Sequence, residues 1–274
     1  MNKLDFKYHS AVIAAIEASK AIMKIYATDF STSIKGDGSP VTLADLTSSE
    51  IIAHHLERTS IPITGEERLK ESYAVRKEWE ECWCVDPLDG TKEFVRKNGE
   101  FVVSIGLIKD QQPFFGVIAS PVSQRIIVGG EEMGAYIFSF DELESPEKWK
   151  KLPAISTLNN PVVVISSRSH YSGNLLTIIQ NIETQHGEVA SARMGSALKF
   201  FDLVQGKADV YPRLAPTMEW DIVAGHAIYK AVGGEVFSLE TKEPLVYNKE
   251  SLFNSFFIAI NSQLVFSDLI DGVD

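Results

Sequence analysis

The sequence predicts a mixed fold in two parts: an α+β half carrying an antiparallel meander, then an α/β half. Three observations predict it. Between Trp83 and Ile137 the runs FVVSIGLIK, PFFGVIASP and RIIVGG follow one another with turn residues between them, the spacing of consecutive antiparallel strands. Further on, strand-like and helix-like runs alternate, as in an α/β unit. Between the two lies SFDELESPEKWKKLPAISTLNN, polar and broken by prolines, which places a junction there and divides the chain into 1–150 and 151–274.

The first element is an amphipathic helix over about Lys3 to Thr28, with Val12, Ala15, Ile16, Ser19 and Met23 on one stripe. STSIKGDGSPVT is a loop, and a second helix covers about Ala44 to Arg58. IPITGEE reads as a short strand running into a loop, and WCV as a strand that Pro87 ends. TKEFVRK begins a helix, and the meander follows. In the second half PVVVISS, GEVASA, ADVYPR and SFFIAI are strands. HYSGNLLTIIQNI, GSALKFFDLVQG and MEWDIVAGHAIYKAVGG are helices, the last stopped by its glycine pair. A crevice between two such halves is a common ligand site.

Composition narrows the function. The chain has 274 residues, 45% of them apolar, enough for a substantial core. Its 26 basic and 37 acidic residues leave a net charge of −11, which repels a nucleic-acid polymer or an anionic membrane. The opening segment does not read as a signal peptide, and no apolar run approaches the roughly 20 residues of a membrane span. A cytoplasmic protein is expected, peripheral inner-membrane association being compatible with the sequence; oligomeric state is open. Cys82 and Cys84, two apart in a strand, are read as core thiols. His54, His55 and His226 are read as packing or surface residues, and Trp220 as a core anchor.

The chemistry concentrates in acidic segments. WCVDPLDGTKEF sets Asp86 and Asp89 three apart across a proline turn. The same bend offers the Leu88 carbonyl, the close backbone approach allowed by Gly90, the Thr91 hydroxyl and a helix start that favours phosphate. Such hard oxygen ligands suit Mg²⁺. A bare Asp-x-x-Asp is also what a strand-end cap with a turn aspartate looks like. TGEE adds Glu66 and Glu67, PVTLAD adds Asp45, and MEWDIVAG adds Glu219 and Asp221. Each alone reads as a cap or solvated carboxylate; together they read as one site.

With these segments in order, DPLDGT and WDIVAG above all, the chain resembles the magnesium-dependent, lithium-sensitive phosphatases of the inositol monophosphatase family, over nearly its whole length. The resemblance implies a layered αβαβα sugar-phosphatase-like fold. Lys92-Glu93-Phe94 after Thr91, with DGSPVTLAD, SSRSH, GSALKF and YPRLAPTMEWD, is similar to the family's 3'(2'),5'-bisphosphate nucleotidase branch. The implied reaction is removal of the 3'-phosphate of 3'-phosphoadenosine 5'-phosphate, giving AMP. The sulfated nucleotide is a further candidate substrate.

The resemblance also implies roles. Glu66, Asp86 and the Leu88 carbonyl hold one Mg²⁺; Asp86 bridges to a second, which Asp89 and Asp221 also hold. Thr91 with Asp45 activates water, Glu66 belongs to the same machinery, and Glu67 supports the ligands from behind. Asp89, Gly90 and Thr91 face the scissile phosphate. A second phosphate calls for a distant anion site, for which Arg168, His170, Lys199, Arg213 and the amides of Gly195 and Ser196 are the candidates. Lys35 is expected to support the ligands from behind with Glu67, within reach of the metal-site phosphate, and Glu219 at the ribose or a neighbouring side chain. Rival readings are an inositol monophosphatase or sugar bisphosphatase with the same metal chemistry, and a non-catalytic phosphonucleotide sensor. A haloacid-dehalogenase phosphatase is disfavoured, because its D-x-D-G-T motif spaces the aspartates by two.

Overall fold

The computed structural model describes residues 4–36, 40–166 and 173–273. Two sheets and three groups of helices form five layers. A seven-stranded sheet joins Ile63–Gly65, Glu81–Asp89, Val102–Lys109, Gln112–Ser120, Arg125–Gly130, Gly134–Ser139 and Lys150–Lys151 in chain order. Only its first pairing is parallel; the rest form the expected meander. The second sheet has five strands in the order Val189–Arg193, Val162–Ser166, Val210–Arg213, Phe257–Ile260 and Glu235–Ser238. It is parallel on one side and antiparallel on the other.

Period-two alternation assigns each strand's side chains to two cores. Trp83, Val85, Val103, Ile105 and Val117 face the helices Phe6–Tyr26 and Leu43–Leu56. Cys82, Cys84, Ile108, Ile118 and Ile127 face the opposite way, into the central core. There they meet the helices Lys199–Val204 and Val223–Lys230 and one face of the second sheet. The other face of that sheet, with Val162, Val164, Ile258 and Ile260, is covered by Gly173–His186 and Phe266–Leu269. This is the αβαβα order. Both cysteines are free and buried on one face of one strand, and burial pushes the Cys82 thiol up to about 12.

Three local departures matter for the site. The strand expected to stop at Pro87 runs on to Asp89, because its pairing with Val102–Lys109 shifts register between Asp86 and Asp89. A bulge tolerates a proline, which has no N–H to give the ladder. The helix expected from Met218 begins at Val223, since Thr217–Met218 pairs with Phe253–Asn254 and a 3₁₀ turn, Glu219–Asp221, follows. Finally, Val223–Lys230 lies directly on the meander. A Cβ at Gly116 would stand 2.1 Å from the Ala224 carbonyl oxygen, so the bare backbone there sets how closely the Asp221 turn approaches Asp86. Among the described residues no helix is long and apolar enough to cross a membrane.

Candidate active site

The bulge at Pro87 aims two aspartates the same way, and the 3₁₀ turn before Val223 brings a third. Carboxylate oxygens of Asp86, Asp89 and Asp221 all lie within 4.8 Å of one another. Each carboxylate is held by a backbone amide. Asp86 Oδ1 accepts from Leu88 N at 2.9 Å, Asp221 Oδ2 accepts from Met218 N at 2.9 Å, and Asp89 Oδ2 accepts from Ala197 N. The chain turns out of the bulge at Gly90, whose φ of 99° suits glycine, into the short helix Thr91–Val95.

Asp86 is buried, Asp89 and Asp221 are half-buried, and three carboxylates so close repel one another. Burial, then the charges of Glu66, Asp89 and Asp221, push Asp86 well above the usual carboxylate range. Burial raises Asp89 to about 6, against the opposing pull of the Ala197 amide and Lys199. Burial and then Asp89 raise Asp221 to about 7. Such a set is costly by itself and is relieved by a divalent cation, which reverses the sign of the local field. All-oxygen donors are the chemistry Mg²⁺ takes, so the residues fit the metal that the resemblance implies.

Glu66 stands beside this trio. Its amide donates to the Val85 carbonyl at 2.9 Å, and its carboxylate accepts from Lys35 Nζ at 2.6 Å. Lys35 also pairs with Glu67. Burial works against the charged ammonium, but hydrogen bonds to both glutamates hold Lys35 above its usual range. Lys35 thus braces the metal-side glutamates and neutralises this acidic corner.

Asp45 is positioned by the start of Leu43–Leu56. Thr42 caps that helix and Asp45, three residues on, reaches back: Asp45 Oδ2 accepts from Thr42 N at 2.7 Å and Thr42 Oγ1 at 2.6 Å. This leaves Oδ1 for Thr91, whose hydroxyl donates to it at 2.8 Å, with the Leu88 carbonyl 3.3 Å away. The Thr91–Asp45 pair therefore exists, and it touches the backbone oxygen expected at the metal.

A cleft of about 280 Å³ opens from the aspartates, lined by Asp89, Gly90 and Asp221 together with Gly195, Ser196, Lys199 and Arg213. Lys199 is buried, its ammonium donating to the carbonyls of Ser196 at 2.6 Å and Met194 at 3.2 Å. Burial lowers it to about 8. Residues missed by the sequence reading also line the cleft: Lys92, Glu93, Met194, Tyr211 and Thr217. Lys92, Glu93, Tyr211 and Thr217 lie in segments that marked the branch without being singled out as site residues; Met194 carried no signal.

One expectation narrows and another needs correction. Of the two partners expected for Glu219, it takes the neighbouring side chain and is not among the residues lining the cleft. It is fully buried, accepting from the amides of Asn248 at 2.6 Å and Lys249 at 3.1 Å and pairing with the Lys249 ammonium. A buried carboxylate this well satisfied fastens the 248–249 loop and has no oxygen to spare for a ribose. The Gly195 amide, expected to meet substrate phosphate, is already bonded to Glu100 Oε2 at 2.9 Å. Arg168 and His170 lie outside the described residues. Trp220 packs in the central core and His226 is fully buried between Tyr247 and Glu235.

Known proteins resemble the chain over most of its length. The chain is 37% identical to the 3'(2'),5'-bisphosphate nucleotidase CysQ of Shigella flexneri, over 89% of this chain and 95% of that one. It is 36% identical to the CysQ of Escherichia coli K12 over the same shares. The crystal structure of CysQ from Bacteroides thetaiotaomicron superposes with a TM-score of 0.82 at 41% identity, covering 92% of this chain and 96% of that one. The suhB protein of Bartonella henselae, at 23% identity and a TM-score of 0.74 over 95% of each chain, shares the fold. The inositol monophosphatase family model matches residues 4–264, and with that match the sequence signatures and the aspartate trio come to one conclusion: this chain belongs to the inositol monophosphatase family.

Proposed function

We propose that the chain is a magnesium-dependent 3'(2'),5'-bisphosphate nucleotidase that converts 3'-phosphoadenosine 5'-phosphate to AMP and phosphate, with the sulfated nucleotide as a second substrate. The observation that carries this reading is the make-up of one cleft: Asp89 and Asp221 line it together with Lys199 and Arg213. A bisphosphorylated nucleotide needs both halves of that lining, a metal-binding one for the phosphate that leaves and a cationic one for the phosphate that stays. The nucleotidases to which the chain is 36–37% identical support the same substrate class.

Asp86, Asp89 and Asp221, with Glu66 and the Leu88 carbonyl, would hold Mg²⁺, and we assign two ions to them. Bound there, Mg²⁺ supplies a Lewis acid and neutralises charge on the transferring phosphoryl group. The protein's own part is proton handling and placement. A water oxygen forms the new bond to phosphorus as the bond from phosphorus to the ribose O3' breaks. The water's proton passes through Thr91 Oγ1 to Asp45 Oδ1, 2.8 Å away, and the departing O3' takes its proton from solvent. The two hydrogen bonds from Thr42 hold Asp45 in place for this transfer.

Phosphate release with Mg²⁺ from 3'-phosphoadenosine 5'-phosphate, inositol 1-phosphate and fructose 1,6-bisphosphate, measured side by side, tests the reading. A kcat/KM advantage of about a hundredfold for the nucleotide is expected from a second charge-assisted phosphate contact. Equal rates, or preference for inositol phosphate, would assign the chain to another branch of the family. Binding without release in a single turnover would make it a sensor. Arg213→Ala is expected to raise KM for the nucleotide about tenfold and to leave KM for a simple monophosphate ester within about twofold. An equal effect on both would remove Arg213 from the distal site.

A further inference from the structure

The loop Met194–Lys199 forms one wall of the cleft, yet two of its amides are bonded to protein carboxylates. Gly195 N donates to Glu100 Oε2 at 2.9 Å and Ala197 N donates to Asp89 Oδ2. Both carboxylates belong to one compact turn of chain. Asp89 ends its strand, Gly90 and Thr91 turn it, and Glu100 comes back alongside. Glu100's own amide is tied to Asn98 Oδ1 at 2.9 Å, and its carbonyl oxygen would stand 2.9 Å from a Cβ at Gly90. So one segment grips two amides that are two residues apart.

The residue between them bears the mark of that grip. Ser196 has φ of 46°, in the left-handed region that a serine rarely enters, and such a backbone persists where its surroundings over-determine it. Gly195 is shaped by the same contact: a Cβ there would lie 2.9 Å from Glu100 Oε2 and 3.1 Å from Glu93 Cγ. Lys199 then ties the loop to itself through the Met194 and Ser196 carbonyls.

Resting on the nucleotidase reading, we infer that Glu100 is a positioning residue for substrate specificity. Its carboxylate holds the Gly195 amide, fixes the strained Ser196 turn, and thereby sets where Lys199 presents its ammonium to the distal phosphate. Glu100 acts through the loop and takes no part in the chemical step.

The test compares wild type, Glu100→Ala and Glu100→Gln, with 3'-phosphoadenosine 5'-phosphate and with glycerol 2-phosphate, which is too small to reach the distal site. Glu100→Ala is expected to raise KM for the nucleotide about tenfold, the worth of a hydrogen bond to a charged acceptor. Its kcat for glycerol 2-phosphate should stay within about twofold of wild type. Glu100→Gln keeps an acceptor oxygen and should recover nucleotide KM to within about threefold. Equal loss on both esters, no loss in Glu100→Ala, or a glutamine variant as poor as alanine would overturn the assignment. So would a lower nucleotide KM in both variants, which would make Glu100 a competitor of the phosphate. Amide hydrogen exchange across residues 194–198 in the substrate-free protein gives a reading independent of turnover. Exchange should rise about tenfold in Glu100→Ala and stay near wild type in Glu100→Gln. If wild type fails to hydrolyse the nucleotide, the proposed function falls, while the exchange result still decides whether Glu100 holds the loop.

Discussion

Asp86→Asn is expected to lower kcat/KM by about 10³-fold or more, the several kcal/mol of charge stabilisation that a metal site contributes, in a protein that remains folded. The asparagine retains Oδ1 as an acceptor for the Leu88 amide, which Asp86 binds at 2.9 Å, so the bulge is preserved. What disappears is the charge placed centrally among Asp89, Asp221 and Glu66. Without Mg²⁺ that charge is a burden. An unfolded aspartate titrates near 4, whereas folded Asp89 and Asp221 titrate at about 6 and about 7. Folded pKa values above unfolded ones mean that the native state binds more protons. Stability of the metal-free protein should therefore fall as pH rises from about 4 to about 7. The variant, with one repelling charge fewer, should show a shallower fall and an equal or higher Tm in EDTA at pH 7.5. Turnover, Mg²⁺ titration calorimetry and Tm in EDTA across that range check the three parts. Wild-type turnover, or a metal-free variant less stable than wild type, would remove Asp86 from the metal set.

How much of this site was legible in the sequence depended on how local its chemistry is. DPLDGT states its purpose within six residues, because the ligands, the turn and the helix start are contiguous. Asp45 was legible through VTLAD, a capping box whose carboxylate keeps one oxygen for Thr91. The misreadings were long-range. Pro87 stops a strand only if no neighbour carries the ladder past it, and Val102–Lys109 does so through a bulge. Glu219 sits two residues from Asp221 and read as part of the site, but its cation, Lys249, lies thirty residues on. The Gly195 amide read as a free phosphate donor, since nothing near it in sequence announces Glu100. The meander and the α/β alternation were legible because period-two runs and alternating elements are local patterns, whereas the order of the layers came from the resemblance. The two-residue pairing of Thr217–Met218 with Phe253–Asn254, which delays the last long helix, has no such pattern.

Thr91→Val is the variant that isolates proton handling from metal binding, and kcat is expected to fall by about 10² to 10⁴, the range of general acid–base contributions. Valine matches threonine in shape and branching, and the short helix Thr91–Val95 takes no side-chain cap from Gly90, so local structure should hold. The hydroxyl has a single proton, and its partners are Asp45 Oδ1 at 2.8 Å and the Leu88 carbonyl at 3.3 Å. The shorter, charged acceptor takes it, which leaves the oxygen's lone pairs to accept a proton from water. Mg²⁺ affinity measured by calorimetry should change by less than about threefold, since the aspartate trio is untouched. Thr91→Ser should restore kcat to within about tenfold of wild type, because the hydroxyl returns with more rotational freedom. If Thr91 and Asp45 act as one relay, Thr91→Val combined with Asp45→Asn should be no slower than the slower single variant, as groups that act as a unit are non-additive. Fully additive losses would mean that Asp45 serves the fold through its capping box and Thr91 serves catalysis alone; an unchanged kcat in Thr91→Val would remove the hydroxyl from the proton's path.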